Sequence, residues 1–185
     1  MKHVMLDLET MGTGPQAAIV AIGAVAFDPT TDSIQCSFYQ EVDLNSSVEL
    51  GGVMSADTVL WWMKQDDEAR HQFYFTGIPL IDVLKRFEHW LSCLAPWEHR
   101  QIWGNGAAFD NVILAGAFQR AKISVPWSYK NDRCYRTLKA LYPEVPYKHR
   151  GTEHIALDDA RSQAVHLMQI FNYMTNAPRT VLESP

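Results

Sequence analysis

Two carboxylates, Asp7 and Glu9, stand in the segment KHVMLDLET, which otherwise has the pattern of a buried strand. Val4, Leu6 and Leu8 supply one apolar face, so the two-residue period puts Met5, Asp7 and Glu9 together on the other. Side chains at i and i+2 of a strand lie about 7 Å apart, where two unit charges repel by about 2 kcal/mol at an effective dielectric of roughly 20. A cation between them offsets that repulsion, and an all-oxygen ligand set favours Mg²⁺ or Mn²⁺ over zinc or copper. For this pair alone the plainer reading is a wet sheet edge, or pairing of both groups with lysine or arginine, because surface carboxylates are common.

Two later segments carry further candidates. In IWGNGAAFDN a strand runs into glycines before a helix begins, which places Asp110 in or near the first helical turn, where the macrodipole favours an anion. In GTEHIALDDA, His154 and Asp159 are five residues apart. On a single helix that spacing separates them by about 140° of rotation. They converge only with His154 on the loop before the helix and Asp159 inside its early turns, and Gly151 and Thr152 make such a loop feasible.

The elements that position these residues follow from periodicity. AAIVAIGAVAFD is a long apolar run expected to form an interior second strand, and SIQCSFYQEV a third, joined through DPTTDS as a hairpin. Residues 43–52 read as loop. Ser55 is expected to cap a short helix carrying Val59, Trp62 and Met63, and DDEARHQF to form another. PLIDVLKRFEHWLSCL is the clearest helix, with Pro79 suited to its first turn and Leu80, Leu84, Phe87, Leu91 and Leu94 on one stripe. RQIWGNG supplies a short strand, AAFDNVILAGAFQRAKI a helix with Phe109, Ile113, Ala117 and Phe118 inward, and RCYRTLKALYP a further helix. HIALDDARSQAVHLMQIFNYM closes with an amphipathic helix whose inner side runs from Leu157 through Ala160, Ala164, Leu167 and Phe171 to Met174. Three strands followed by helices with a strand among them predict a mixed α/β sheet flanked by helices.

Bulk properties narrow the class. A chain of 185 residues with 47% hydrophobic residues suits one core, expected as a single domain over 1–174 followed by a polar C-terminal tail, 175–185, that is mobile or docks on a second subunit of a homodimer. Three widely separated cysteines give neither a disulfide framework nor a zinc site, and the N-terminus has no signal-peptide pattern, so a cytoplasmic protein without membrane association is expected. A net charge of −5 excludes a generally basic surface for coating nucleic acid. Residues 130–150 are locally different: six basic residues against two acidic ones, with Tyr135, Tyr142 and Tyr147 interleaved, fit either a phosphate-binding strip or a solvated helix face.

DLET, NGAAFD and HIALDD, in this order and at these distances, resemble the three motifs of the DEDD exonuclease superfamily, in the DEDDh subclass whose third motif is His followed five positions later by Asp. The resemblance runs from Asp7 to about Met174. The pair Trp61–Trp62 and the RTL that follows Arg133 are also similar to a small group of phage and bacterial 3′-5′ exonucleases, including exoribonuclease-like members. The resemblance implies a ribonuclease H-like fold and a 3′-5′ exonuclease that releases nucleoside 5′-monophosphates from DNA or RNA 3′ ends, single-stranded or frayed. It implies two Mg²⁺ ions, replaceable by Mn²⁺, with Asp7 bridging them, Glu9 and Asp159 completing one and Asp110 supporting the other. Four carboxylates then balance two divalent cations in formal charge. His154 matches the general base. The motif spacing selects Asp159 over Asp158, which is expected as an exposed early-helix charge. Met11, Phe109, Trp62 and Arg133 are the candidate substrate contacts, the first three also suited to ordinary packing. Two competing functions remain at this level: a non-catalytic nucleotide or nucleic-acid-binding module of the same fold, and an internally cutting ribonuclease H.

Overall fold

Val4, Met5, Leu6 and Leu8 are all buried, because the strand that carries them is central and covered on both faces. In the computed structural model, which describes residues 2–31, 33–73 and 77–176, this strand is β1 (His3–Thr10). It pairs antiparallel with β2 (Ile19–Asp28), which pairs antiparallel with β3 (Ser33–Glu41). On its other side β1 pairs in parallel with β4 (Gln101–Gly104), and β4 with β5 (Asp132–Cys134), giving the order β3-β2-β1-β4-β5. The wet-edge explanation for Asp7 and Glu9 is therefore lost.

Helices cover both faces of this mixed sheet, as expected. Between β3 and β4 lie α1 (Leu44–Glu49), α2 (Ala56–Trp62), α3 (Asp67–Arg70) with a 3-10 turn at His71–Phe73, and α4 (Leu80–Ser92). α5 (Asp110–Arg120) follows β4, and α6 (Tyr135–Leu141) and α7 (Ala156–Asn176) follow β5. One face packs Val4, Leu6 and Leu8 against the predicted α4 stripe and against Ile113, Leu114, Ala117 and Phe118 of α5. The opposite face packs Met5, Val25 and Phe27 against Ala160, Ala164 and Leu167 of α7. Among the described residues no helix is long and apolar enough to cross a membrane.

Several local expectations are corrected. Residues 44–49, read as loop, form α1: Asp43 caps it by accepting from the Asn45 N–H. Six residues are too few to show a helical period, and the helix is fixed by tertiary bonds in which Ser47 Oγ accepts from Ile19 N–H at 2.8 Å and Ser46 Oγ from Leu80 N–H at 2.9 Å. Arg133 and Cys134, expected to begin a helix, lie in β5, a three-residue edge strand that exists only through its pairing with β4. Pro79 sits just before α4 rather than in its first turn. Met63 and Met174 lie outside the core, where short α2 ends and where α7 runs past the sheet. Of the predicted tail, Thr175 and Asn176 complete α7, and 177–185 lie outside the described residues.

Two glycines set how closely the helices approach β1. Gly23 is the β2 partner of Asp7, and a Cβ there would collide with the backbone of Ala156 and Leu157 at the start of α7. Gly104, at the end of β4, leaves room for Asn111 and Asp110 at the start of α5. The missing side chains let both helix N-termini rest on the sheet beside β1. Gly23→Ala is expected to destabilise the fold by about 1–3 kcal/mol through overpacking, read as a lower urea midpoint at unchanged slope, with a larger relative loss of whatever activity depends on α7.

Candidate active site

Four carboxylates meet at the C-terminal end of β1. Asp7 and Glu9 come from the strand, Asp159 from the first turn of α7 on one face of the sheet, and Asp110 from the first residue of α5 on the other. One ligating oxygen from each of Asp7, Glu9 and Asp159 lies within 4.8 Å of the other two. Asp110 Oδ1 accepts from the Leu8 N–H at 3.2 Å, while Oδ2 is buried without a hydrogen-bond partner. Glu9 is 7% exposed and Asp110 only 2%. Among the described residues no lysine or arginine forms an ion pair with any of the four.

Neutral donors and one histidine hold the cluster. Gln163 Nε2 donates to Asp7 Oδ1 at 2.7 Å, His149 Nε2 lies 2.9 Å from Asp159 Oδ1, and the His154 N–H donates to Asp159 Oδ2 at 2.9 Å. Burial, then the charges of Asp110, Glu9 and Asp159, push the Asp7 carboxyl well above the usual carboxylate range. Burial followed by Asp159 and Asp110 raises Glu9 to about 8. Burial also raises Asp110 to about 7, against the N–H donors of Leu8, Asp110 and Asn105 and the positive charge of Arg136. Asp159 is raised by burial and pulled back by His149 and the His154 N–H. A cluster of hard oxygen donors this crowded, with the buried Asp110 Oδ2 left unpaired, fits a divalent cation.

His154 reaches the site as the spacing required, from the loop before α7. Its backbone is left-handed, with φ at 66°. Gly151 is left-handed too, at 87°, and a Cβ there would strike the Asp158 carboxylate. Asp158 is accordingly not the exposed charge expected: half-buried, its Oδ2 accepts from the Thr152 N–H at 3.0 Å and ties the loop to the helix start. Ser162 Oγ adds a second tie, to the Arg150 N–H and carbonyl. The imidazole of His154 stands edge-on to Trp61, centroids 4.8 Å apart.

A cleft of about 620 Å³ opens beside the carboxylates, lined among others by Glu9, Ser55, Trp61, Trp62 and Phe109. Trp62 is buried, with its indole N–H on the Thr10 carbonyl at 3.0 Å, while Trp61 stays 41% exposed. Phe109 both lines the cleft and packs against the core. Met11 sits behind the wall, packed with Ala18, Val20 and Ala69. Arg133 is not brought to the carboxylates; its guanidinium donates to the carbonyls of Lys130 and Asp132. Arg136 is instead the cation beside Gly106 and Asp110. In the basic segment, Tyr135 is core, its hydroxyl paired with His166 at 2.7 Å. His149 and Gln163 escaped the sequence reading, whereas Arg136 stands in the basic segment and in the RTL stretch, with Arg133 rather than Arg136 the expected phosphate contact. Gln163 was accessible in principle, four residues after Asp159 on the same helix face; nothing in the periodicity marks His149.

The family model described as the 3'-5' exoribonuclease Rv2179c-like domain matches residues 2–171. An exodeoxyribonuclease of Enterobacteria phage T4 is 27% identical over 125 residues, 62% of this chain and 54% of the phage protein, so the chain spans about half that relative's length. Among solved structures, the nuclease domain of 3'hExo, described as a DEDDh family member bound to rAMP, superposes with a TM-score of 0.64 at 17% identity, covering 92% of this chain and 91% of that one. A zinc-bound E. coli ExoI–ssDNA complex gives 0.64 at 17% identity over 96% of this chain and 41% of its own. The likeness establishes the fold, ribonuclease H-like as in DEDDh exonucleases.

The raised carboxylates make a signed prediction for protein stripped of metal with EDTA. A carboxyl whose folded pKa exceeds its unfolded value of about 4 stabilises the fold fully below that value and loses this contribution as pH rises toward the folded pKa. For Glu9 the window closes near 8. Glu9→Gln is therefore expected to gain on the parent between pH 5 and 8, by at least about 1 kcal/mol or 2–4 °C in Tm. Parallel melting curves for the two proteins would contradict this.

Proposed function

The chain belongs to the Rv2179c-like 3'-5' exoribonuclease domain family, and on that premise we propose that it removes nucleoside 5′-monophosphates from the 3′ ends of single-stranded or frayed DNA or RNA. The supporting observation is the convergence of Asp7, Glu9 and Asp159 oxygens within 4.8 Å beside an aromatic-walled cleft. At about 620 Å³ that cleft is of a size to take one nucleotide. In this reading the domain is 1–174, and its three free cysteines suit a reducing cytoplasm.

Asp7, Glu9 and Asp159 would hold one divalent ion, and Asp7 with Asp110 a second, Mg²⁺ or Mn²⁺. Bound divalent ions supply charge neutralisation at the phosphate and Lewis-acid activation of water. Gln163 and His149 keep Asp7 and Asp159 from turning away, so that the carboxylates would hold the ions in fixed places. His154 takes a proton from the attacking water, for which imidazole suits because its ordinary pKa lies near neutrality. The water oxygen bonds to the terminal phosphorus as the bond to the preceding nucleotide's 3′ oxygen breaks, and that oxygen departs protonated from solvent. Trp61 offers a partly exposed ring for the terminal base, with Trp62 and Phe109 behind it. A cleft of this size takes the 3′ nucleotide only once that nucleotide has left its complement, which is the ground for single-stranded or frayed ends.

Asp7→Ala, or EDTA, is expected to abolish release of mononucleotides from 3′-labelled single-stranded DNA and RNA in Mg²⁺ and Mn²⁺. His154→Ala is expected to lower kcat by about 10²–10⁴-fold with Mn²⁺ affinity retained by calorimetry. Parental digestion by Asp7→Ala would refute the proposal, and oligomeric products on the gel would replace it with internal cutting.

A further inference from the structure

Gln72 lies outside every sequence motif, yet it touches the histidine loop from 82 positions away. It is 5% exposed and belongs to the 3-10 turn at His71–Phe73. Its Nε2 donates to two carbonyl oxygens at once, Ala69 at 2.7 Å and His154 at 3.0 Å. Both amide hydrogens are thereby used, and the opposite amide orientation would set Oε1 against two acceptors. Oε1 itself is buried without a partner, so the side chain accepts an unpaired oxygen in order to place its amine.

What that amine holds is unusual. His154 is one of two non-glycine residues with positive φ among those described, a conformation that needs support from its surroundings. Its N–H is fixed by Asp159 and its carbonyl by Gln72, so both backbone polar groups are tethered. The ring is held separately: it stands edge-on to Trp61, Trp61 packs on Trp62 at 4.9 Å, and Trp62 packs on Phe73 at 4.9 Å, next to Gln72 in the chain. These contacts form a closed circuit from Gln72 through His154 and the tryptophans back to Phe73.

We propose that Gln72 is a positioning residue for the His154 imidazole, fixing the left-handed backbone that aims the ring along the wall of the cleft. The inference rests on the reading of His154 as the proton acceptor. A glutamine suits the position because it is neutral, reaches both carbonyls and adds no charge beside the carboxylates.

The experiment compares Gln72→Met, His154→Ala and the double variant in steady-state cleavage of a 3′-labelled oligonucleotide, after melts establish that each folds, with Gln72→Glu as a second substitution at the same position. Gln72→Met is expected to lose about tenfold or more in kcat, as misplacement of a reacting group does, while KM and Mn²⁺ affinity stay within about twofold. The Cα and Cβ chemical shifts of His154 should move away from left-handed values. The double variant should be no slower than His154→Ala, since there is then no imidazole left to aim. Parental kcat in Gln72→Met, additive losses in the double variant, or failure of both Gln72 variants to fold would overturn the inference. His154→Ala at parental rate would instead remove the reading beneath it.

Discussion

Mutual repulsion among crowded carboxylates, Glu9 and Asp110 buried and Asp7 and Asp159 half-buried, is the constraint around which this molecule is arranged. Asp7, Glu9, Asp110 and Asp159 occupy one end of the central strand with no lysine or arginine paired to them among the described residues. Such a cluster persists only where the surrounding framework is rigid enough to hold charges or shared protons that would otherwise separate. Burial raises all four groups, and the charges of neighbouring carboxylates add to the shifts of Asp7 and Glu9. A divalent cation between these oxygens would offset that repulsion directly.

The framework meets that demand from both faces. α5 and α7 approach opposite sides of the sheet, and each begins where a glycine removes the Cβ that would hold it off. Because Gly23 is the register partner of Asp7, the α7 backbone can close directly over the strand beside that carboxylate. The loop into α7 is then stapled by Asp158 and Ser162, leaving Asp159 and His154 few conformations. Precision at the site comes from backbone approach and capping bonds, and the hydrophobic stripes supply the rigidity behind them.

The cleft joins this acidic centre to exposed aromatic surface. Within an overall charge of −5, the surface around that cleft is locally uneven. Trp61 is partly exposed on the cleft wall, and the Arg136 guanidinium lies beside Gly106, with its charge felt at Asp110. The basic residues after Lys130 are divided in role: Lys139 lies over the Tyr147 ring, and Arg133 is bound to its own loop.

The sequence by itself determined the strand carrying Asp7 and Glu9, the α4 and α7 stripes, the helix start at Asp110 and the loop placement of His154, because each is written in a local period or cap over consecutive residues. Alternation and 3.6-residue spacing are short-range signals, and the motif resemblance added their order. Only the tertiary structure decided that β1 is central, that Asp132–Cys134 is a strand and 44–49 a helix, and that Asp158 is a staple. It alone brought His149, Gln163 and Gln72 to the carboxylates and the histidine loop, and moved Arg133 away. Those assignments depend on hydrogen bonds and close approaches between segments far apart in the chain, and no window along a single sequence encodes the distance between two such segments.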